Sequence, residues 1–202
     1  MTAMDDLQRI LGYLDEANPQ MTNGDVTQLT KIASEIYTMP FWTPEFCAAI
    51  IRAAEAVGAF EPQPHDPVPG HEVSLAVISP KLFEAVQNDI GTRVWPALRT
   101  VWPYIDYFGL RDAFVIRYAI GEQESLRIHH DVAQVSASIK LNNDYAGAAL
   151  HFPLQGVSNV NVAIGELLAW PSLVTHPHQT NQLISGTKYA LTIWCELPSF
   201  IE

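Results

Sequence analysis

Apolar residues recur at helical spacing through the first third of the chain. The pattern predicts one amphipathic helix from Asp5 to Glu16 and a second from about Asp25 to Tyr37. A third helix should begin after Thr43, because Thr43 suits an N-cap and Pro44 suits the first helical position. Gly58 is a natural end for that helix. We therefore expect the N-terminal part of the chain to be mainly helical.

The next segment mixes turn residues with apolar runs. Prolines and a glycine between Glu61 and Gly70 predict a loop, and the alternation from Glu72 to Ile78 predicts an edge strand. A long helix is predicted from Lys81 to Val101. Gly91 or Pro96 should interrupt this helix, because a proline removes a hydrogen bond from a helix interior.

From Asp112 onward, short runs of β-type residues are separated by turn residues. The predicted strands are Ala113–Tyr118, Leu126–Asp131, Gln134–Leu141, Ala148–Phe152, Asn159–Ile164, Glu166–Trp170 and Lys188–Cys195. Strands at this density are typical of a double-sheet roll. The sequence therefore predicts a single domain over residues 1–202. In it, residues 111–202 form the β core and residues 1–110 form a helical support with an edge strand.

Composition and charge narrow the function classes. Of the 202 residues, 48% are hydrophobic and 16% are charged, as in globular proteins. The formal net charge of -11 repels phosphate, so neither nucleic acid nor an anionic membrane surface is an expected partner. No segment reaches the ~18 consecutive apolar residues of a membrane helix.

The start of the chain and its cysteines favour a cytoplasmic protein. The first residues include neither a basic segment nor an apolar leader. Cys47 and Cys195 lie far apart and lack metal-ligand spacing, so we expect reduced, buried thiols. The first two predicted helices could supply a dimer contact, which leaves a monomer and a homodimer both open.

Two side chains with metal-binding chemistry lie on one predicted strand. His129 and Asp131 are two positions apart, so they project from one face while His130 projects from the other. Two imidazoles and one carboxylate with open coordination positions form the facial triad of non-haem Fe(II) oxygenases. The second imidazole must come from elsewhere in the chain. His176 and His178 are both candidates, and strand alternation does not separate them.

Other polar residues share faces with these candidates. Lys188 stands inside an apolar run, where a cation needs an anionic partner such as the far carboxylate of an α-ketoacid. Thr192 has the same parity as Lys188 and is expected to touch that cosubstrate. Four further residues share one strand face, which either lines the pocket or is an exposed sheet face: Ser136, Ser138, Lys140 and Asn142.

At these residues the chain resembles a known family. The segments concerned are Ile116-Arg117-Tyr118, Glu122 to Asp131, Leu141 to Gly147, Thr175 to His178, and Gly186-Thr187-Lys188-Tyr189. They are similar to 2-oxoglutarate- and Fe(II)-dependent dioxygenases of the prolyl 4-hydroxylase and lysyl hydroxylase kind, and most similar to the lysyl hydroxylase catalytic domain. The likeness is firm from about Asp112 to the end of the chain. A fainter likeness begins at Phe41 and continues up to that point.

The resemblance implies a fold and a site. The fold is mainly β, a double-stranded β-helix (jelly roll, cupin-like) with the N-terminal helices packed on one sheet. The family's 2-oxoglutarate-binding basic residue lies ten positions after the distal metal ligand, which selects His178 beside His129 and Asp131 as ligands of Fe(II). Lys188 would bind the C5 carboxylate of 2-oxoglutarate, and the Tyr118 hydroxyl would hydrogen-bond the cosubstrate. Ser138, Asn142 and Thr192 would line the same pocket.

The implied activity is the O2-dependent hydroxylation of an unactivated C–H bond. Succinate and CO2 would be the co-products, with ascorbate as a reductant. The substrate could be a free amino acid, a peptidyl residue or a natural-product intermediate. The expected partner is therefore a small molecule or a peptide.

The chain departs from the family pattern at two places. Lysyl hydroxylases carry arginine at the position of Lys188, whereas prolyl 4-hydroxylases carry lysine, so the chain has a mixed character. The family often has Gly-Gly where this chain has Gly147-Ala148-Ala149. The 202 residues contain no counterpart of the glycosyltransferase portions of animal lysyl hydroxylases, so we do not expect a role in collagen processing from the resemblance. The alternatives are a non-catalytic β-roll binding module and a cupin-type metalloenzyme that does not use 2-oxoglutarate.

Overall fold

The fold is built on two antiparallel sheets in a computed structural model that describes residues 28–62 and 67–198. The larger sheet has the order β1-β2-β10-β6-β12-β4-β3, with β7 paired to β12, and the smaller has the order β5-β11-β8-β9. The strands are β1 (Thr30–Ala33), β2 (Ile36–Pro40), β3 (Glu72–Ser74), β4 (Leu110–Ala119), β5 (Leu126–His129), β6 (Val135–Lys140), β7 (Tyr145–Gly147), β8 (Leu150–Phe152), β9 (Val157–Ser158), β10 (Glu166–Pro171), β11 (His178–Thr180) and β12 (Leu183–Cys195). The predicted mainly β jelly roll is confirmed.

One helix lies between β2 and β3, a helical run lies between β3 and β4, and a 3-10 turn lies between β10 and β11. They are α1 (Pro44–Val57), α2 (Leu75–Ile78), α3 (Pro80–Asp89), a π-helix (Ile90–Val94), α4 (Trp95–Arg99) and a 3-10 turn (Leu173–Thr175). The Thr43 hydroxyl accepts a hydrogen bond from the Phe46 amide, and Gly58 ends α1 in the left-handed conformation at φ 68°. Both signals for this helix in the sequence are therefore confirmed.

The long helix predicted from Lys81 to Val101 is interrupted as expected. The π-helix contains Gly91, and Pro96 lies in the first turn of α4, which follows the π-helix directly. A side chain at Gly91 would lie 2.6 Å from the Tyr107 ring, so the glycine allows this ring to pack closely on the helix.

Alternation in the larger sheet separates the packing face from the site face. Odd-numbered residues of β6 and β10, of β4 after Asp112 and of β12 after Lys188 pack with the helices in the main hydrophobic core, as Val115, Ile139 and Leu191 do. At the register shift between Trp194 and Cys195 this alternation changes, so Leu110 lies in that core in place of Arg111. Even-numbered residues of the same strands point toward the smaller sheet. The chemistry-bearing side chains of the larger sheet are therefore on the face opposite the helices.

Several sequence predictions need correction. The helix from Asp25 to Tyr37 is wrong for its described part, which forms β1 and β2; pairing of β2 with β10 outweighs the local helical pattern. The predicted strand Glu72–Ile78 ends at Ser74, because the Ser74 hydroxyl caps α2. Asn159–Ile164 is a turn region instead of a strand. The strands β7, β9 and β11 were not predicted, and the helix from Asp5 to Glu16 lies outside the described residues.

The N-terminal region does more than support the β core. Residues before 110 supply β1, β2 and β3 to the larger sheet in addition to the helices, so the description of residues 1–110 as helical with one edge strand is incomplete. The single-domain division stays a prediction. Cys47 and Cys195 are buried and free, as expected. None of the described helices is long and apolar enough to cross a membrane.

Candidate metal and cosubstrate site

The smaller sheet brings two distant histidines together. In the antiparallel pairing of β5 with β11, His129 stands directly opposite His178, and their ring centroids are 4.4 Å apart. Asp131 lies two residues beyond the end of β5 and faces both rings. His129 Nε2 lies 3.5 Å from Asp131 Oδ1, and His178 Nε2 lies 3.6 Å from Asp131 Oδ2. One ligand atom from each of the three side chains lies within 4.8 Å of the others.

Backbone carbonyls fix the tautomers of both imidazoles. His129 Nδ1 donates to the carbonyl of Arg127 at 2.8 Å, and His178 Nδ1 donates to the carbonyl of His176 at 3.0 Å. Because a carbonyl oxygen only accepts, each Nδ1 carries a proton and each Nε2 faces Asp131; in the neutral ring this Nε2 has the lone pair that can bind a metal. This is the arrangement in which histidine ligands of metals are usually held.

Two serines orient the carboxylate. Ser136 donates to Asp131 Oδ2 at 2.6 Å, and since its proton is used there, the Ser172 hydroxyl 2.7 Å away must donate to Ser136. Burial alone would raise the pKa of Asp131, but His129, His178 and Ser136 together lower it below its ordinary value. Asp131 is therefore ionised while only 4% exposed.

The two imidazoles are held in different electrostatic settings. Burial opposes protonation of His129, but the hydrogen bonds to Asp131 and to the Arg127 carbonyl outweigh it and raise the pKa of His129. For His178, desolvation is the largest effect and lowers its pKa. Burial therefore favours the neutral, ligating form of His178, and a divalent cation would displace the proton from His129.

The donor set fits a divalent transition metal. Two neutral imidazoles and one carboxylate on one side, with a cavity of about 340 Å³ on the other, leave coordination positions open to ligands. This combination suits Fe(II) better than Ca²⁺ or Mg²⁺, which prefer cages of oxygen atoms. The residues present thus fit the metal that the resemblance implies.

The structure distinguishes the histidines that sequence alternation could not. His176 is buried outside the cluster, where Nδ1 lies 3.0 Å from the Thr175 hydroxyl and Nε2 donates to the Ser34 carbonyl at 3.2 Å. His178 is the member of the pair that joins the cluster. His130 is exposed at the edge of the cavity and belongs to neither set of contacts.

Lys188 lies in the wall of the same cavity. The side chain is 3% exposed, its Nζ donates to the Ala148 carbonyl at 2.8 Å, and it lies 4.8 Å from the centroid of the Tyr118 ring. Burial, with a smaller effect from Lys140, lowers the pKa of Lys188 to about 7. The Ala148 carbonyl compensates the Lys188 charge less well than an anion would. A ligand carboxylate in the cavity would therefore be a better partner for Lys188.

Ala148 takes a backbone conformation that usually favours glycine. Its φ is 47°, and the family often has glycine in this segment. The strained residue is the one whose carbonyl accepts from Lys188. The substitution noted in the sequence is thus accommodated in the backbone next to the cation without altering the metal ligands.

Three further predicted residues line the cavity. Thr180 donates to the Tyr118 hydroxyl at 3.0 Å, which leaves the phenolic proton available for a ligand. Burial raises the pKa of Tyr118, so this group stays protonated. Ser138 and Thr192 stand opposite each other on β6 and β12 and both line the cavity.

Asn142 lies outside the cavity lining. Its amide nitrogen donates to the Thr187 carbonyl at 2.7 Å, and its side-chain oxygen accepts from the Tyr189 amide at 2.8 Å. These bonds hold the backbone on both sides of Lys188. Asn142 therefore has an indirect role in place of the predicted contact with the cosubstrate. Lys140, which was predicted on the same strand face, also lies outside the cavity lining and donates to the carbonyls of Val160 and Val162.

Some residues of the site were missed from the sequence. Thr180 and Ser172 contact Tyr118 and Ser136 from loops and a short strand whose pairing gave no signal in the sequence. Trp170 packs edge-on against the His178 ring with centroids 5.0 Å apart. Side-chain alternation along the predicted strand Glu166–Trp170 could have placed the Trp170 indole on the sheet face that lines the cavity.

Comparisons with known proteins agree with the geometry. No protein-family model matches the chain. The chain is 23% identical over 169 residues to a multifunctional procollagen lysine hydroxylase and glycosyltransferase of Caenorhabditis elegans, covering 78% of this chain and 23% of the relative. It is 23% identical over 186 residues to 2-oxoglutarate and iron-dependent oxygenase domain-containing protein 2 of Mus musculus, covering 85% of this chain and 52% of the relative. The chain thus spans about a quarter and about half of these relatives.

A solved structure agrees at the level of the fold. The viral collagen prolyl hydroxylase of Paramecium Bursaria Chlorella virus-1, solved with 2OG, matches with a TM-score of 0.58 and 14% identity, covering 83% of this chain and 100% of that one. At this identity the match concerns the fold. The resemblance read from the sequence is confirmed: relatives and structural neighbours of the chain are prolyl and lysyl hydroxylases and other 2-oxoglutarate- and iron-dependent oxygenases.

Proposed function

We propose that the protein is an Fe(II)- and 2-oxoglutarate-dependent dioxygenase that hydroxylates an unactivated C–H bond, with succinate and CO2 as co-products. One observation carries the proposal. A cluster of two imidazoles and one carboxylate, His129, Asp131 and His178, shares a single cavity with the buried cation Lys188. An iron site alone would not need that cation, and a structural lysine would not be buried beside open space.

The metal would supply activation of O2, and the chain's own residues supply position and charge. His129, Asp131 and His178 would hold Fe(II) from one side, while Ser136 keeps the Asp131 carboxylate turned toward it. On cosubstrate binding, Lys188 would exchange the Ala148 carbonyl for the C5 carboxylate, a charge-assisted and stronger hydrogen bond.

Tyr118 and the apolar wall complete the cosubstrate site. The Tyr118 hydroxyl already accepts from Thr180, so it can donate its own proton to a carboxylate oxygen near Lys188. Trp170 and Phe152 pack against the His178 ring, which keeps water away from that side of the cluster. Exclusion of water strengthens each of these polar contacts.

The test is stoichiometric. The purified chain should convert 2-oxoglutarate to succinate only when Fe(II) and O2 are added, and His178→Ala should abolish this conversion. A non-catalytic binding module would form no succinate, and a cupin-type enzyme using another oxidation would consume O2 without it. Either result would remove the proposal. A subsequent screen of amino acids and peptides for gain of one oxygen atom would identify the substrate.

A further inference from the structure

Among residues 28–62 and 67–198, the cavity wall includes an arginine that the proposed reaction does not use. Asp131 is a metal ligand in the proposal, and Lys188 takes the cosubstrate. The charged side chains that also line the cavity are Glu72 and Arg111. Glu72 is 8% exposed, and its carboxylate lies beside Gly70. Arg111, by contrast, is exposed at the open end.

Arg111 is held in place by two contacts with other residues of the cavity wall. Its Nη1 donates to the Val132 carbonyl at 2.6 Å, and its guanidinium carbon lies 5.7 Å from the centroid of the Trp194 ring. Trp194 is itself fixed edge-to-face against Phe114, with centroids 4.9 Å apart. The guanidinium therefore has a defined position instead of extending freely into solvent.

The position of Arg111 relates it to the metal cluster. Val132 directly follows Asp131, so the guanidinium reaches the residue next to a ligand of the proposed metal site. A guanidinium has five N–H donors in a planar fork. Among residues 28–62 and 67–198, one of these donors is bonded, to Val132. The remaining donors can take a ligand while that bond keeps the group in place.

We infer that Arg111 anchors the substrate by a carboxylate, so that the substrate is a small carboxylic acid such as a free amino acid. The inference rests on the proposed function and adds the substrate class to it. Phe114, Trp194 and Val132 line the same cavity as Arg111 and the metal cluster and give it apolar surface, which suits the aliphatic part that would be hydroxylated. In a protein of net charge -11, a free carboxylate is repelled by the surface in general, so a fixed cation at the cavity mouth selects for it.

Binding of defined probes tests this inference without turnover. The full chain, loaded with redox-inert Zn²⁺ and saturating 2-oxoglutarate, is titrated with a panel of free L-amino acids and simple aliphatic acids, each paired with its primary amide. Dissociation constants are measured by calorimetry. Some acids should bind and their amides should bind much more weakly. Arg111→Gln should weaken binding of those acids about tenfold to a hundredfold, the loss of a charge-assisted hydrogen bond.

Two further variants separate recognition from structure. Arg111→Lys keeps the charge and should recover part of the affinity, while Arg99→Gln, which removes an exposed charge 3.9 Å from Asp106, should have no effect on it. Affinities for Zn²⁺ and for 2-oxoglutarate should change less than about twofold in all three variants. If Arg111 only braces Val132, Arg111→Gln will weaken metal binding and leave the preference for acids unchanged, which overturns the inference.

The remaining outcomes are also decisive. A panel in which no acid binds, or in which amides bind as well as acids, overturns the substrate class. Failure of the proposed function has a different signature: carboxylates would bind in an Arg111-dependent manner, while Fe(II) would still give no succinate.

Discussion

Replacing Lys188 by methionine should change stability and cosubstrate binding in opposite directions. Lys188 is 3% exposed, and burial lowers its pKa from 10.5 to about 7, with a smaller contribution from Lys140. Between these two pH values the unfolded chain binds a proton that the folded protein does not. The free energy of unfolding therefore rises with pH across this window, by up to about 1.4 kcal/mol per pH unit.

The magnitude follows from this shift. Relative to an unperturbed lysine, the buried group costs about 4 kcal/mol at pH 7 and about 2 kcal/mol at pH 9. Methionine fills similar space without this cost, but it leaves the Ala148 carbonyl without its donor, a loss of about 1–3 kcal/mol. Lys188→Met should therefore be more stable than the wild type at pH 7, by about 1–3 kcal/mol, and this advantage should shrink by about 2 kcal/mol at pH 9.

Urea denaturation of the metal-free wild type and variant at pH 7 and pH 9 measures both quantities. Taking the difference between the two proteins removes the titration of all other groups. Lys81→Met, at an exposed lysine, is the matched control and should show no pH-dependent difference. The same Lys188→Met protein should bind 2-oxoglutarate at least about 100-fold more weakly, since its carboxylate would lose a buried partner. A pH-independent stability difference, or unchanged 2-oxoglutarate binding, would refute the reasoning.

The other predictions concern the metal cluster and the backbone near it. His178→Ala should eliminate Fe(II) binding in a metal titration, whereas His176→Ala should retain it; the reverse result would exchange their roles. Ser136→Ala removes the donor to Asp131 and should weaken metal affinity about tenfold to a hundredfold, with wild-type affinity counting against an orienting role. Gly165→Ala should lower the free energy of unfolding by more than about 2 kcal/mol, because φ is 82° and the new Cβ would lie 1.9 Å from the Trp42 carbonyl oxygen; thermal denaturation within a degree of wild type would contradict this.

How far the sequence predicted the site depends on the range of the interaction concerned. His129 and Asp131 could be paired from strand alternation alone, because that periodicity is local. The choice of His178 over His176 needed the family spacing, since both have the same parity. The structural reason for the choice is the register between β5 and β11, which places His178 opposite His129. No local signal encodes that register.

The errors in the fold have the same origin. The described residues up to Tyr37 have a pattern compatible with a helix, yet they form β1 and the start of β2, because β10, far along the chain, pairs with β2. Strand alternation predicted the side of β6 on which Ser138 lies, and Ser138 lines the cavity. Asn142 lies just beyond the end of β6, where alternation no longer applies, and its amide turns to the backbone beside Lys188 instead.

The cross-strand position of the two histidines has a consequence for the lifetime of the protein. The smaller sheet consists of strands of two to four residues, too short to be stable without support from outside the sheet. A divalent ion bound by His129 and His178 would tie β5 to β11 and hold this sheet closed. Without the ion, local opening of the sheet becomes easier, and proteases act on such opened states. Supply of the metal would then influence how much of the protein persists, because the metal-free form would open more readily.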